Sequence, residues 1–268
     1  AIVHEAFHIA KNGRPGPVVI DIPKDVQFER ADYTPRAQAK VRDCVPATRV
    51  SSTQIEQAVE LMRQARKPVL YTGGGIVNSG PQASAALRML ARETGFPVTS
   101  TLMGLGAFPA SDPQWLGMLG MHGSLEANNA MHDCDVMVCI GARFDDRVTG
   151  RLDAFSPNSR KIHVDIDPSS INKNVPVDIA LVADAGAAME ALIHEWRRRN
   201  AANPHDKARL DLWRRQIEAW RARKSFSYAP CDKAIKPQLA VERLYALTRG
   251  RDTYITTEVG QHQMWAAQ

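Results

Sequence analysis

The chain has 268 residues, 44% of them hydrophobic and 24% charged, the proportions of an ordinary globular protein rather than a disordered or fibrous one. Its apolar runs fall far short of the roughly 18 residues needed to cross a bilayer, and no secretion signal opens it, so a cytoplasmic chain without a membrane partner is expected. The net charge of +5 raises nucleic acid as a partner. However, the basic excess gathers at Arg197 to Arg199, Arg214, Arg215 and Arg221 to Lys224, among Asp206, Asp211 and Glu218. No aromatic platform or reader motif accompanies it, so a solvated helix or linker is expected, with no nucleic acid. Cys44, Cys134, Cys139 and Cys231 form no Cys-x-x-Cys pair and are expected to be reduced, mostly structural thiols.

Residues 1–10 place Ile2, Ala6, Phe7 and Ile9 at roughly helical spacing, and Asn12-Gly13 supplies a stop. This helix is already under way at Ala1 and another is just beginning at 264–268, so the chain reads as part of a longer one. Residues 16–23 read as a buried strand ended by Pro23. Residues 25–50 lack apolar periodicity and contain Pro35 and Pro46, the marks of a linker.

From Ser51 the pattern changes. Ser52 or Thr53 can cap a helix running through Ile55, Val59 and Met62. The strand 69–71, the glycines Gly73, Gly74 and Gly75, and a helix over 82–94 follow. Then come a strand at 97–101, a loop rich in Gly and Pro, a helix at 125–131 and strands at 135–140 and 161–166. A short helix at 169–172, a strand at 179–183 and a helix at 185–198 complete the alternation. Short continuous apolar strands alternating with helices predict an α/β fold: a doubly wound, Rossmann-like parallel sheet covered on both faces, over 51–200. Residues 201–235 are polar, part of them with a helical reading, and span the gap to the next domain as a second linker. A helix over 236–248 and a strand at 254–257 then open a further α/β unit.

The densest chemistry is Gly141-Ala142-Arg143-Phe144-Asp145-Asp146-Arg147-Val148-Thr149-Gly150, directly after an apolar strand. Ligands of open α/β sheets sit at the carboxyl ends of strands, and paired guanidiniums suit anionic ones. A salt-bridged βα connection is the plainer alternative. A second glycine-bounded segment, Leu119-Gly120-Met121-His122-Gly123, lies just upstream. Gly73 to Gly75 do not have the spacing of the dinucleotide fingerprint, so they can mark either a close ligand approach or a plain turn. Asp165 and Asp184 stand near strand ends, where a carboxylate can accept from a ribose or cap a helix. His122 has no metal-ligand spacing to another histidine or cysteine, and no metal site is expected in this chain.

These two segments, with Val259-Gly260-Gln261-His262-Gln263-Met264-Trp265, resemble the large catalytic subunit of the acetolactate synthases, a family of thiamine diphosphate enzymes that also carry FAD. The resemblance runs collinearly over nearly the whole chain. It implies that 1–24 is the end of a pyrimidine-binding domain, 51–200 the central FAD-binding domain and 236–268 the start of the diphosphate-binding domain, so truncated pieces flank the central sheet. It assigns FAD contact to Arg14, Gly73, Gly74, Gly75, Thr101, Leu102, Leu119, Met121, His122, Gly141, Arg143, Asp145, Arg147, Val148, Asp165, Ile166, Asp184 and Ala185. Val259, Gly260, Gln261 and His262 would meet thiamine diphosphate, and Arg147 would hold the carboxylate of the acceptor ketoacid. Lys24, Met121, Asp146 and Arg147 match an inhibitor channel.

The reaction implied is condensation of two pyruvates, or of pyruvate and 2-ketobutyrate, with loss of carbon dioxide, for branched-chain amino acid synthesis. A homodimer and a small regulatory subunit are the implied partners. The family's cofactor-activating glutamate and its magnesium ligands fall outside this stretch, so the stretch alone is expected to be inactive. The alternatives are another thiamine diphosphate enzyme, such as pyruvate oxidase or glyoxylate carboligase, or a non-catalytic nucleotide-binding module.

Overall fold

A computed structural model describes residues 2–30, 32 and 50–268; Pro35, Cys44 and Pro46 lie outside them. Six strands form one all-parallel sheet: β1 (Pro68–Thr72), β2 (Val98–Ser100), β3 (Trp115–Met118), β4 (Val136–Ile140), β5 (Arg160–Asp165) and β6 (Ile179–Val182), in the order β3-β2-β1-β4-β5-β6. Strand order therefore reverses between β1 and β4, and the crevice at such a switch point is where open α/β sheets bind ligands.

Both faces of the sheet are covered, so the central strands β1 and β4 read as near-continuous apolar runs. On one face Leu70, Val138, Ile140, Ile162 and Val164 pack against α3 (Ser52–Gln64), α4 (Gly74–Ser79), α5 (Pro81–Thr94) and α8 (Ala185–Ala202). There Phe96 and Trp196 meet edge to face at 6.1 Å. On the other face Val69, Tyr71, Met137 and Cys139 pack against α6 (Leu125–Asp133) and α9 (Asp211–Arg221). A doubly wound α/β fold is thus what the alternation produces.

Several local expectations are corrected. Residues 16–23 form no strand: Val19 is 91% exposed, and no described strand pairs with them. The same is true of 254–257, where Tyr254 is 90% exposed. Local composition favours extended chain in both places, but a strand also needs a neighbour for its N–H and C=O groups. The helix expected at 169–172 is a 3-10 turn, Pro168–Ser170. Ser51, rather than Ser52 or Thr53, stands at the start of α3, and its side chain makes no capping bond.

The glycine- and proline-rich loop contains β3, an edge strand kinked by Gly117 at φ +89°. The presumed linker 25–50 opens with α2 (Lys24–Phe28). At the chain's ends, α1 (Ile2–Lys11), α10 (Pro237–Thr248) and α11 (Gln261–Ala267) contain no buried residue.

The polar stretch after residue 200 differs most from the sequence reading. In α9 the stripe Trp213, Ile217 and Trp220 is buried while the arginines face out. Those arginines, and their neighbours at the end of α8, are largely neutralised locally. Arg197 pairs with Glu93 at 2.5 Å, Arg199 with Glu195 at 2.6 Å and Arg214 with Asp211 at 3.1 Å. Cys134 and Cys139 are free and buried, and Cys231 is free and exposed. No helix among the described residues is long and apolar enough to cross a membrane.

Candidate functional site

Because all six strands run in parallel, their carboxyl ends lie along one edge, and the loops leaving that edge are tied to one another. After β1, Gly73 donates to the Ile140 carbonyl at 2.9 Å and Gly75 to the Gly141 carbonyl at 3.0 Å. A Cβ on Gly75 would lie 2.6 Å from the Gly141 Cα, and one on Gly74 would lie 3.2 Å from the Met103 Cβ. Gly73 and Gly75 are therefore needed to pack the β1 and β4 loops across the switch point, while Gly74 lies against Met103 in the loop after β2. Two of the triplet's three N–H groups are used within the protein, which leaves less of a phosphate cradle than three adjacent glycines suggest.

The two motifs that stand out in the sequence meet in space. Met121 N–H donates to the Arg147 carbonyl at 2.9 Å, and a Cβ on Gly120 would lie 2.6 Å from that same oxygen. Gly120, at φ +92°, is clamped by Asn128, which accepts from its N–H at 2.8 Å and donates to its carbonyl at 3.0 Å. Sequence reading missed Asn128, whose signal was an amide side chain in the first turns of α6. It also missed Asn174, which donates to the Phe144 carbonyl at 3.0 Å and the Arg143 carbonyl at 3.3 Å.

Around this frame the charged candidates point outward. Arg143 pairs with Asp145 at 2.9 Å, both side chains about half exposed. Arg147 lies 3.9 Å from Asp146, with side chains 73% and 79% exposed. An ion pair so open contributes little, so the Arg147 guanidinium is free to take another anion. The segment 146–149 winds into the short helix α7 (Asp146–Thr149), which half-buries Val148. Leu102 and Met121 are exposed and His122 is half-buried, its carbonyl accepting from Gln268 at 3.1 Å. Thr101 Oγ1 caps a 3-10 turn by accepting from Gly104 N–H at 3.2 Å.

At the far end of the edge, β5 and β6 deliver the carboxylates. Asp165 is buried, and that burial pushes its pKa up even though it accepts from Asp167 N–H at 2.8 Å. Asp165 does not cap the following turn. Asp167 does, and hydrogen bonding from Ser169 holds its pKa below the usual carboxylate range. Arg14 reaches Asp167 at 3.6 Å, which brings the N-terminal segment onto the same edge. Half-buried Ile166 lies between these aspartates. Asp184 caps α8 by accepting from Ala187 N–H at 3.1 Å and from Ser79 Oγ at 2.8 Å, with Ala185 buried beside it.

The remaining candidates stand apart. Lys24 lies on α2, 6.0 Å over the Phe28 ring, and makes no described ion pair with Asp146. Val259 and Gly260 precede α11, a helix of 7 residues, and Gln261 and His262 on its first turn are exposed. No described hydrogen-bonding side chain from another element converges on them.

An edge with this donor set suits a dinucleotide, since Arg14 and Arg143 can face a diphosphate while Asp165, Asp167 and Asp184 can accept from hydroxyl or amino groups. The family profile described as "Thiamine pyrophosphate enzyme, central domain" matches residues 55–192, which span β1 to β6 and all of these loops except Arg14. The Acetolactate synthase isozyme 3 large subunit of Escherichia coli (strain K12) is 44% identical over 268 residues, 99% of this chain and 46% of that protein. The Acetolactate synthase large subunit of Haemophilus influenzae is 43% identical over 98% of this chain and 45% of its own length. That of Porphyra purpurea is 41% identical over 100% of this chain and 44% of its own. The chain thus spans a little under half the length of these relatives. With its six-stranded parallel sheet inside the matched segment, the chain belongs to the thiamine pyrophosphate enzymes and carries their central domain.

Proposed function

We propose that the full-length protein carrying this chain is an acetolactate synthase. It condenses two pyruvates, or pyruvate and 2-ketobutyrate, to 2-acetolactate or 2-aceto-2-hydroxybutyrate with release of carbon dioxide, in cytoplasmic branched-chain amino acid synthesis. The observation that carries this reading is the junction of the two motifs. Backbone pairing of Met121 with Arg147 fixes the start of α7 beside the carboxyl edge of the sheet, and the Arg147 side chain is left 73% exposed. Joining two ketoacids requires a group for the second carboxylate, and arginine supplies a bidentate, permanently charged one.

In this reading the carboxyl edge holds FAD as a largely structural group, through Arg14, Arg143, Asp165 and Asp184 with the glycine-lined loops. Thiamine diphosphate, when bound, supplies the carbanion chemistry. Gln261 and His262 offer donors to its phosphates, while the magnesium ligands belong to chain outside these residues. The catalytic unit is a homodimer with a small regulatory subunit, and Met121, Asp146, Arg147 and Lys24 line an inhibitor channel. These assignments rest on the family resemblance, supported at the edge by the match between the donor set and the ligand.

The test is acetolactate formation from pyruvate by the full-length protein supplied with thiamine diphosphate, magnesium and FAD. Arg147→Ala is expected to lower kcat/KM about 100-fold, the scale of one lost charge-assisted interaction in the transition state. Arg147→Lys, which keeps the charge but not the fork, should fall in between. Wild-type kinetics in Arg147→Ala would remove the residue from the reaction, and carbon dioxide release without acetolactate would point to a different member of the family.

A further inference from the structure

One side chain that neither the glycine motifs nor the flavin-edge residues include, His163, touches the Arg143 loop at two points. Tyr71, Cys139 and His163 are in register across β1, β4 and β5, one residue short of the ends of β1 and β4 and two short of the end of β5, and all three are fully buried. At the end of this row His163 Nε2 lies 2.8 Å from the Ala142 carbonyl, which also accepts from Cys139 Sγ at 3.3 Å. A carbonyl only accepts, so the imidazole carries its proton on Nε2. Burial pushes its pKa down, which keeps it neutral, with Asp165 3.8 Å from Nε2 and Nδ1 without a partner among the described residues.

Two residues further on, Phe144 takes φ +55°, a left-handed conformation strained for a bulky side chain. Its ring sits on His163 at 5.0 Å, Tyr71 at 5.6 Å and Phe155 at 5.9 Å. Gly141 before it is also left-handed, at φ +64°. The loop therefore reverses inward at Ala142, inserts Phe144 and throws Arg143 and Asp145 outward as a pair.

We infer that His163 is a positioning residue for the flavin edge: its Nε2–H, holding the Ala142 carbonyl, selects the loop conformation that presents Arg143 and Asp145. This rests on the FAD reading above for its functional half. Its structural half stands on the hydrogen bond and the ring contacts.

The test uses the full-length protein with three substitutions chosen for reach. In His163→Gln the amide nitrogen occupies the position of Nε2. In His163→Asn the amide reaches only as far as Nδ1, and His163→Leu has no donor. Hydrogen exchange of the amides over 141–147 is measured without FAD, and FAD affinity is measured by flavin fluorescence. Asn and Leu should speed exchange at this loop and weaken FAD about tenfold, the effect of one buried hydrogen bond. Gln should stay within about threefold of wild type on both readouts, a rescue that general loss of core packing would not produce.

Unchanged loop exchange in His163→Asn overturns the inference. So does normal FAD affinity in His163→Asn when Arg143→Ala weakens it. Faster exchange with FAD affinity indifferent to both His163→Asn and Arg143→Ala overturns the flavin reading instead.

Discussion

Gly141→Ala is expected to destabilise the protein by about 3–4 kcal/mol, the left-handed backbone and the crowding each contributing. At φ +64° a side chain costs about 1–2 kcal/mol. The added Cβ would also lie 2.6 Å from the Gly75 Cα and 3.0 Å from its backbone N and C. Backbone cannot swing aside as a flexible side chain can, so the β1 and β4 loops must separate. That would strain the 3.0 Å bond from Gly75 to the Gly141 carbonyl and the 2.8 Å bond from Gly141 to Val164. Gly106 is the internal control, because it also has positive φ, +88°, but meets nothing within 4 Å. Gly106→Ala should cost only the conformational share, about 1–2 kcal/mol. Urea unfolding of both variants checks this; equal losses would mean that the contact across the switch point is not what demands glycine.

Trp213→Ala should be of similar size, about 3–5 kcal/mol, the usual range for truncating a buried large aromatic. Trp213 is 2% exposed, meets Trp220 edge to face at 5.6 Å and donates from Nε1 to the Pro68 carbonyl at 3.0 Å. Its loss opens a cavity on the α6–α9 face and orphans a carbonyl at the start of β1. Trp213→Phe keeps most of the ring and should lose about 1–2 kcal/mol, largely the hydrogen bond. Leu212→Ala, one position away and 74% exposed, should stay within about 0.5 kcal/mol. Thermal unfolding ranks the three. If Trp213→Ala unfolds like wild type, this helix is the solvated linker that its composition suggests.

That contrast shows what the sequence could and could not reveal. Strands β1 and β4 were legible because burial on both faces leaves them as unbroken apolar runs, while β5 and β6 were legible as short strands in the regular alternation with helices. Strand β3 was not: it is an edge strand of 4 residues containing Gly117, inside a stretch that reads as loop. A helix in the α9 stretch was legible, but its burial was hidden by its arginines, although Trp213, Ile217 and Trp220 at i, i+4 and i+7 carried the amphipathic signal. Residues 16–23 and 254–257 failed for the opposite reason, since their local preference is for strand while pairing is not a local property. At the site, the glycines and arginines were legible because they cluster in sequence at strand ends. Asn128, Asn174 and His163 were not, because their partners lie 8, 30 and 21 residues away and are brought near only by sheet register and loop closure.

In the proposed function the carboxyl edge of this sheet, from Arg143 to Asp184, holds FAD. The most direct measurement is a titration of the full-length protein with FAD, followed by flavin fluorescence, for wild type, Arg143→Ala and Asp184→Ala. Saturable binding weakened about tenfold or more by each change is expected, since each removes a charged partner of the ligand. Asp184→Ala should also lower stability by about 1 kcal/mol through loss of the α8 cap, whereas Arg143, about half exposed, should not. Saturable binding unaffected by both substitutions would place the flavin elsewhere and contradict the assignment of FAD to this edge.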